Sequence, residues 1–171
     1  MIKIEPYTFG DEKLRYDGLN SSKDHLLPWI PYAENYTMEK SKIWIENAIK
    51  AFSAGTEYAF KILNEQENFL GEVRLINVTI NPYERQANIA LWIQKDFAGQ
   101  GVASAALKLA TDFAFNDLKL QRLQFMVLPD NERSIGLIRK VGGQYEGQLR
   151  NQWSFDGVMK HPLLFSLTPA S

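Results

Sequence analysis

The chain has 171 residues, 45% of them hydrophobic and 23% charged, and a formal net charge of -1 at pH 7. That balance suits one domain, residues 1–171, with a sizeable core, and it excludes a sequence-wide basic surface for nucleic acid. No apolar run approaches the roughly 18 residues of a membrane span. The start, Met1-Ile2-Lys3-Ile4-Glu5-Pro6, has no apolar signal core, so the cytoplasm is the expected compartment.

Residues 2–9 alternate well enough for a strand, and a weak helical pattern follows over about 11–27. Pro28 and Pro31 bracket Leu27-Pro28-Trp29-Ile30-Pro31-Tyr32 and demand a loop. Thr37 is placed to cap a helix, Glu39 to favour its dipole and Gly55 to end it. Ser41, Trp44, Ile45, Ala48, Ile49 and Phe52 share one face of that helix.

The period then falls to two. Strands are predicted over 58–63, 70–80 and 86–93, with Asn81-Pro82-Tyr83-Glu84 turning an antiparallel hairpin. A helix over about 101–116 buries Val102, Ala106, Leu109, Ala110 and Phe113. A strand over 121–128 and a short helix over 132–140 follow, the helix stopping at Gly142-Gly143. Two more strands, over 144–151 and 158–167, complete the chain. The order β-α-α-β-β-β-α-β-α-β-β implies an α+β chain, a mixed sheet with helices on both faces.

The stretch with chemistry in it is Trp92-Ile93-Gln94-Lys95-Asp96-Phe97-Ala98-Gly99-Gln100-Gly101-Val102-Ala103. A strand ends, a tight loop with two glycines follows, and a helix begins. Small residues let the backbone approach a ligand closely, and the free N–H groups of a first helical turn favour negative charge. The combination suits phosphate; the plain alternative is that Gly99 and Gly101 only make a turn. The nucleoside-triphosphate loop fails, because Val102-Ala103 replaces its Lys-Ser or Lys-Thr pair. A dinucleotide fold fits better locally, with Asp130 placed to hold a ribose. However, Ser104 stands where its third small residue belongs, the preceding hairpin does not fit, and too little chain remains for further βα units.

The segment Phe97-Ala98-Gly99-Gln100-Gly101-Val102-Ala103 resembles motif A of the GNAT acetyltransferases, Gln/Arg-x-x-Gly-x-Gly/Ala. Pro129-Asp130-Asn131-Glu132-Arg133-Ser134 opens a stretch similar to the Asn-x-x-Ser helix of the RimJ/RimL branch. Glu146-Gly147-Gln148-Leu149-Arg150 matches that branch's Glu-Gly-x-x-Arg strand, and Leu26-Leu27-Pro28-Trp29 its Leu-x-Pro-Trp loop. The motifs occur in the family's order and span most of the chain. Two residues depart from the pattern: Ala98 stands where motif A has Gln or Arg, and Gly143 where the branch has Phe.

The resemblance implies a GNAT fold, with a central mixed, largely antiparallel twisted sheet of about seven strands. It implies acetyl-CoA as cofactor, its pyrophosphate on the main chain of Phe97, Ala98, Gly99, Gln100, Gly101, Val102 and Ala103. Its pantetheine arm would enter between splayed strands 86–93 and 121–128, against Leu91, Trp92 and Ile93, with backbone amides near Ala90 to Trp92 polarising the acetyl carbonyl. Asn131 would lie against the cofactor, and Ser134 near the thiol, as acid or as orienter of the thiolate. Asn131 is equally an N-cap, and Ser134 a first-turn residue. With no cysteine in the chain, no Cys acyl-enzyme is available and transfer goes directly from donor to acceptor. No metal is expected.

The general base is open. Glu72 lies on a central strand, where some GNAT enzymes carry a catalytic glutamate; alternation also allows an exposed salt-bridge residue. Glu146 and His25 are further titratable candidates, and Asp156 reads first as part of a hairpin turn with Gly157. Trp29 and Tyr32, with Tyr36 and Trp44, are candidate walls of an acceptor cleft, although Trp44 also reads as core. The branch implies an acceptor at a protein N-terminus; a small amine such as an amino acid, polyamine or antibiotic, or a silent acyl-CoA-binding module, are the alternatives. Monomer and homodimer are both open.

Overall fold

The computed structural model describes residues 1–169. Strand β1 (Ile2–Pro6) leads into helix α1 (Glu12–Ser21) and a single turn, α2 (Lys23–Leu26). The helix predicted over 11–27 is thus broken at Ser22. Ser22 is buried, and its hydroxyl accepts the Lys95 N–H at 3.0 Å, which ties this corner to the loop after the third hairpin strand.

Helix α3 (Met38–Ala54) has the predicted ends. The Thr37 hydroxyl accepts the Lys40 N–H at 3.2 Å, and Gly55 closes the helix at φ 71°. Strands β2 (Tyr58–Asn64), β3 (Phe69–Ile80) and β4 (Arg85–Ile93) form an antiparallel meander. Gly71 is required inside it: a Cβ there would lie 2.2 Å from the Trp92 carbonyl oxygen.

Helix α4 (Val102–Asp112) continues into a wider turn over Phe113–Asp117, where Phe113 packs edge-on against Tyr58 and Phe60. Strand β5 (Arg122–Val127) and helix α5 (Glu132–Lys140) follow. The last part differs from the sequence expectation of two strands. It contains β6 (Gln144–Gln148), β7 (Trp153–Phe155), β8 (Val158–Lys160) and β9 (Leu163–Leu167). Pro162 separates β8 from β9, since a residue without an N–H cannot continue a ladder. Asp156 and Gly157, both at positive φ, turn the β7–β8 hairpin as a sheet of its own.

The main sheet has seven strands in the order β1-β2-β3-β4-β5-β9-β6, antiparallel except where β4 runs parallel to β5. Two cores sit on its two faces. Val73 opposite Leu91 and Leu75 opposite Ile89 point to the side of α4, with Ala106, Leu107 and Ala110. Glu72 opposite Trp92 and Arg74 opposite Ala90 point to the side of α1 and α3, with Leu19, Ile45 and Ala48. Both faces are therefore covered, as a sheet with a parallel centre requires.

Candidate active site

The parallel ladder between β4 and β5 is short. Gln86, Ala87 and Asn88 pair with Arg122, Leu123 and Gln124, and no rung follows, although β4 continues to Ile93 and β5 to Val127. The strands part into a cleft. Arg85 accepts the Gln121 N–H through its carbonyl, whereas the Gln94 N–H turns the other way, to Leu70 of β3. Main-chain groups alternate sides along a strand, so those of Leu91 and Ile93 face the cleft beyond the last rung, while those of Trp92 face β3. The expected trio of Leu91, Trp92 and Ile93 thus divides: two supply free main-chain groups and Trp92 supplies a buried ring on the α1–α3 face.

At the cleft's end the chain makes one tight turn over Lys95–Phe97 and reaches Ala98. Gly99 and Gly101 sit at φ 79° and 82°, where only glycine is free of strain. A Cβ at either would meet no atom within 4 Å, so it is backbone shape that demands glycine, and the space outside is open. Gly101 caps α4 without any side-chain cap, and the first helical bond is Ala105 N–H to the Gly101 carbonyl at 3.1 Å. The N–H groups of Val102, Ala103 and Ser104 precede that bond and point out of the helix start. No acidic residue occupies the first turn of α4. Main-chain donors, the positive end of a helix and a side-chain-free approach suit a diphosphate. The missing motif residue at Ala98 removes one side chain and leaves these donors intact.

Across the cleft, Asn131 caps α5: its Oδ1 accepts the Ser134 N–H at 3.1 Å. The Ser134 hydroxyl makes no hydrogen bond to protein among the described residues, leaving it free for a ligand. Burial first, then the charges of Arg133 and Lys95, pushes the His25 imidazole below its usual range, so the ring is neutral at pH 7.

The α1–α3 face carries a charged cluster. Glu72 is 1% exposed and Arg15 0%. Arg15 donates from Nε to Glu72 Oε2 at 2.7 Å and from Nη1 to the Tyr36 hydroxyl. The Tyr7 hydroxyl donates to the same Glu72 oxygen at 2.9 Å, and Arg74 Nε lies 3.4 Å from the other. The Arg15 guanidinium stacks on Trp44, 3.5 Å from the ring centroid. Glu72 is therefore a buried ionic anchor, in contrast to the exposed salt-bridge glutamate that alternation allowed. Burial would raise its pKa, but Arg15 and Arg74 outweigh burial and hold it below the usual carboxylate range. A carboxylate so held is a weak base. Tyr7, by contrast, is pushed well up by burial and by the Glu72 charge.

Above this cluster opens a cavity of about 510 Å³, walled by Tyr32, Tyr36, Lys40, Trp44, Asn47 and Arg74 among others. Tyr32, Tyr36 and Trp44 come together there. Trp29 does not line it, and stands 37% exposed in the neighbouring turn. Glu146 lies elsewhere, paired with Arg122 and accepting from the Ser166 hydroxyl at 2.6 Å. Both bonds, that to Arg122 first, hold its carboxyl down at about 2.

Sequence reasoning missed Arg15 and Arg74. The signal was present for Arg74: Glu72 and Arg74 alternate with Val73 and Leu75, so one face of a central strand carries two charges that must be neutralised together. Among the described residues no group of His, Cys, Asp and Glu could hold a metal ion, and no helix is long and apolar enough to cross a membrane.

A seven-stranded sheet that splays beside a glycine-led helix without a side-chain cap offers main-chain donors suited to a diphosphate next to a cleft between two strands. The sequence pattern of the Acetyltransferase (GNAT) domain matches residues 2–144. The probable N-acetyltransferase YjcK of Bacillus subtilis is 30% identical over 164 residues, 95% of this chain and 90% of that protein. Spermidine N(1)-acetyltransferase of Escherichia coli is 29% identical over 132 residues, 71% and 70% of the two chains. Mycobacterium smegmatis RimJ, solved with CoA-disulfide, superposes with a TM-score of 0.89 at 24% identity, covering 98% of this chain and 81% of that one, a likeness of fold. The chain belongs to the GNAT acetyltransferase family: it is an acyltransferase, and acetyl-CoA is the donor this family uses.

Proposed function

We propose that this acetyltransferase acts on an α-amine, that of a polypeptide N-terminus. The observation that carries the reading is the acceptor-side cavity, whose walls hold no carboxylate. Glu72 beneath it is committed to Arg15, Tyr7 and Arg74. An α-amine near 7.8 is about one-seventh neutral at pH 7, whereas a lysine amine near 10.4 is neutral in about one part in 2,500. A site without a free carboxylate base suits the first and starves the second.

Acetyl-CoA supplies an activated acyl group: the amine adds to the thioester carbonyl, the C–S bond breaks, and the thiol leaves with a proton. The chain's own residues divide the work. Amides of Gly99 to Ala103 and the α4 dipole hold the diphosphate. The cleft-facing main chain of Leu91 supports a developing oxyanion without reorganising. The Ser134 hydroxyl, free of protein partners and in the first turn of α5, donates toward sulfur and orients the leaving thiolate. Glu72 acts through Arg15, which fixes Tyr36 and Trp44 as walls; its part is positioning rather than base catalysis. Proton release from an α-amine is left to water and the neutral His25 imidazole.

Thiol release from acetyl-CoA, measured with N-terminal peptides, Nα-blocked lysine peptides, spermidine and free amino acids, tests the reading. N-terminal peptides should exceed the others in kcat/KM by at least about tenfold. Spermidine as the best acceptor would overturn the reading in favour of a small-amine enzyme, and binding without turnover would mark a silent module.

A further inference from the structure

The acceptor cavity is one-sided in charge. Lys40 and Arg74 line it with the amides Asn35 and Asn47, and no aspartate or glutamate does. Arg74 spends Nε on Glu72 and Nη1 on Glu57, at 3.4 and 3.1 Å, and its Nη2 has no protein partner among the described residues. Lys40 gives one hydrogen to the Asn35 carbonyl at 2.7 Å and joins no ion pair among the described residues. Glu72 beneath the cavity is already bound by Arg15 and Tyr7, and Glu57, which borders an adjoining cavity, is already held by Arg74.

Aromatic walls could in principle cradle a cation instead. On Trp44 and Tyr36 that capacity is taken. The Arg15 guanidinium lies 3.5 Å from the Trp44 centroid and 5.2 Å from that of Tyr36, and Arg74 stands 5.7 Å from Trp44. A second ammonium group would meet Arg74 and Lys40 with no free oxyanion to balance them. What the cavity lacks is an acceptor of hydrogen bonds that carries negative charge.

Register supplies the distance. Arg74 lies opposite Ala90, one residue before Leu91, whose main chain faces the cleft. Neighbouring strands are about 4.8 Å apart, so the Arg74 main chain stands roughly one and a half strand spacings, about 7 Å, from the middle of the cleft, and its side chain rises from the sheet on the α1–α3 face. The carboxylate of a free α-amino acid sits too close to its own nitrogen to span that gap. A side-chain carboxylate on the first or second residue of a peptide reaches it.

Resting on the α-amine reading above, we propose that Lys40 and Arg74 form a subsite for a carboxylate, so that the preferred acceptor is a polypeptide N-terminus with an acidic residue at its first or second position. The site reads the acid by charge-assisted hydrogen bonds from two cations and nearby amides, and the same cations reject polyamines.

The test uses tetrapeptide amides that begin with Glu, Gln or Lys, matched in α-amine basicity, together with free glutamate and spermidine. Thiol release gives kcat/KM, and calorimetry gives affinity for the enzyme–coenzyme A complex. The Glu peptide should surpass the Gln peptide by about tenfold or more in both, and the Lys peptide by more still. Lys40→Gln, at an exposed position that leaves the buried cluster untouched, should cut the Glu-to-Gln ratio several-fold; Arg74→Gln should cut it further. A ratio near one, a preference for Lys or spermidine, or a ratio that survives Lys40→Gln and Arg74→Gln in folded protein would overturn the subsite. Preference for free glutamate over the peptides would overturn the polypeptide part. Failure of acetyl-CoA itself to bind would refute the underlying transferase reading, and peptide calorimetry on the free protein would still decide the subsite.

Discussion

Replacing Gly101 by glutamate separates the electrostatics of the diphosphate loop from its backbone shape. Gly101 sits at φ 82° with no atom within 4 Å of a new Cβ, so any L side chain fits spatially but pays a left-handed strain of about 1 kcal/mol. In a chain of this size that lowers Tm by about 2–4 °C. Gly101→Ala should show that drop and little else. Gly101→Glu adds a carboxylate beside the helix start. At about 6 Å and an effective dielectric constant of about 40, each pair of unit charges repels by about 1.4 kcal/mol; two phosphate charges give about 3 kcal/mol, or ~100-fold in affinity. Calorimetric titration with coenzyme A reads the affinity, thermal melting reads the strain, and salt should partly rescue the glutamate variant. Undiminished affinity in Gly101→Glu, with a normal melting curve, would refute the assignment of the loop.

Glu72→Gln leaves the Arg15 guanidinium buried without a counter-charge, which should cost about 3–5 kcal/mol in urea unfolding at pH 7. Because folding depresses the Glu72 pKa below the ordinary 4.5, its stabilisation is fully present above that value and is lost as pH falls through the folded one. Urea midpoints between pH 7 and pH 3 should therefore fall less steeply in Glu72→Gln than in the parent. Ser134→Ala should lower kcat and leave coenzyme A affinity within a few-fold, since the Asn131 cap contacts only the Ser134 main chain; stopped assays with matched calorimetry check this. Gly136→Ala, in the middle of α5 with open space around its Cβ, should raise stability by about 0.5–1 kcal/mol in the same urea series.

What was legible in the sequence was local chemistry. Thr37 and Gly55 announce the ends of α3 because caps act over three or four residues, and the meander β2–β3–β4 announces itself by period and by the Asn81-Pro82 turn. The helix of α5 was likewise legible from Asn131 to Gly142. The long-range parts were not. The ion cluster depends on α1 lying over β3, so that Arg15 and Glu72 meet at a sequence separation of 57; no window of residues contains that fact. The break at Ser22 depends on Lys95 arriving from a distant loop. The strand over 158–167 looked continuous because its side chains alternate, and the missing N–H of Pro162 outweighed that pattern. At the site, the glycine loop was readable because a helix start and its glycines are local features, and Tyr32, Tyr36 and Trp44 were legible as candidate walls, while Lys40 and Arg74 were not, because only folding brings them to the same cavity.

The three-rung union of β4 and β5 means that the main sheet is really two slabs sharing a short seam, one of four strands and one of three. A pantetheine arm carries amides of its own. In the reading proposed above, an arm laid in the cleft would take the place of the rungs that the protein omits, and the donor would serve for one catalytic cycle as a structural member of the sheet. Amide protons of Leu91 and Ile93 are then expected to exchange with solvent more slowly with coenzyme A than without it.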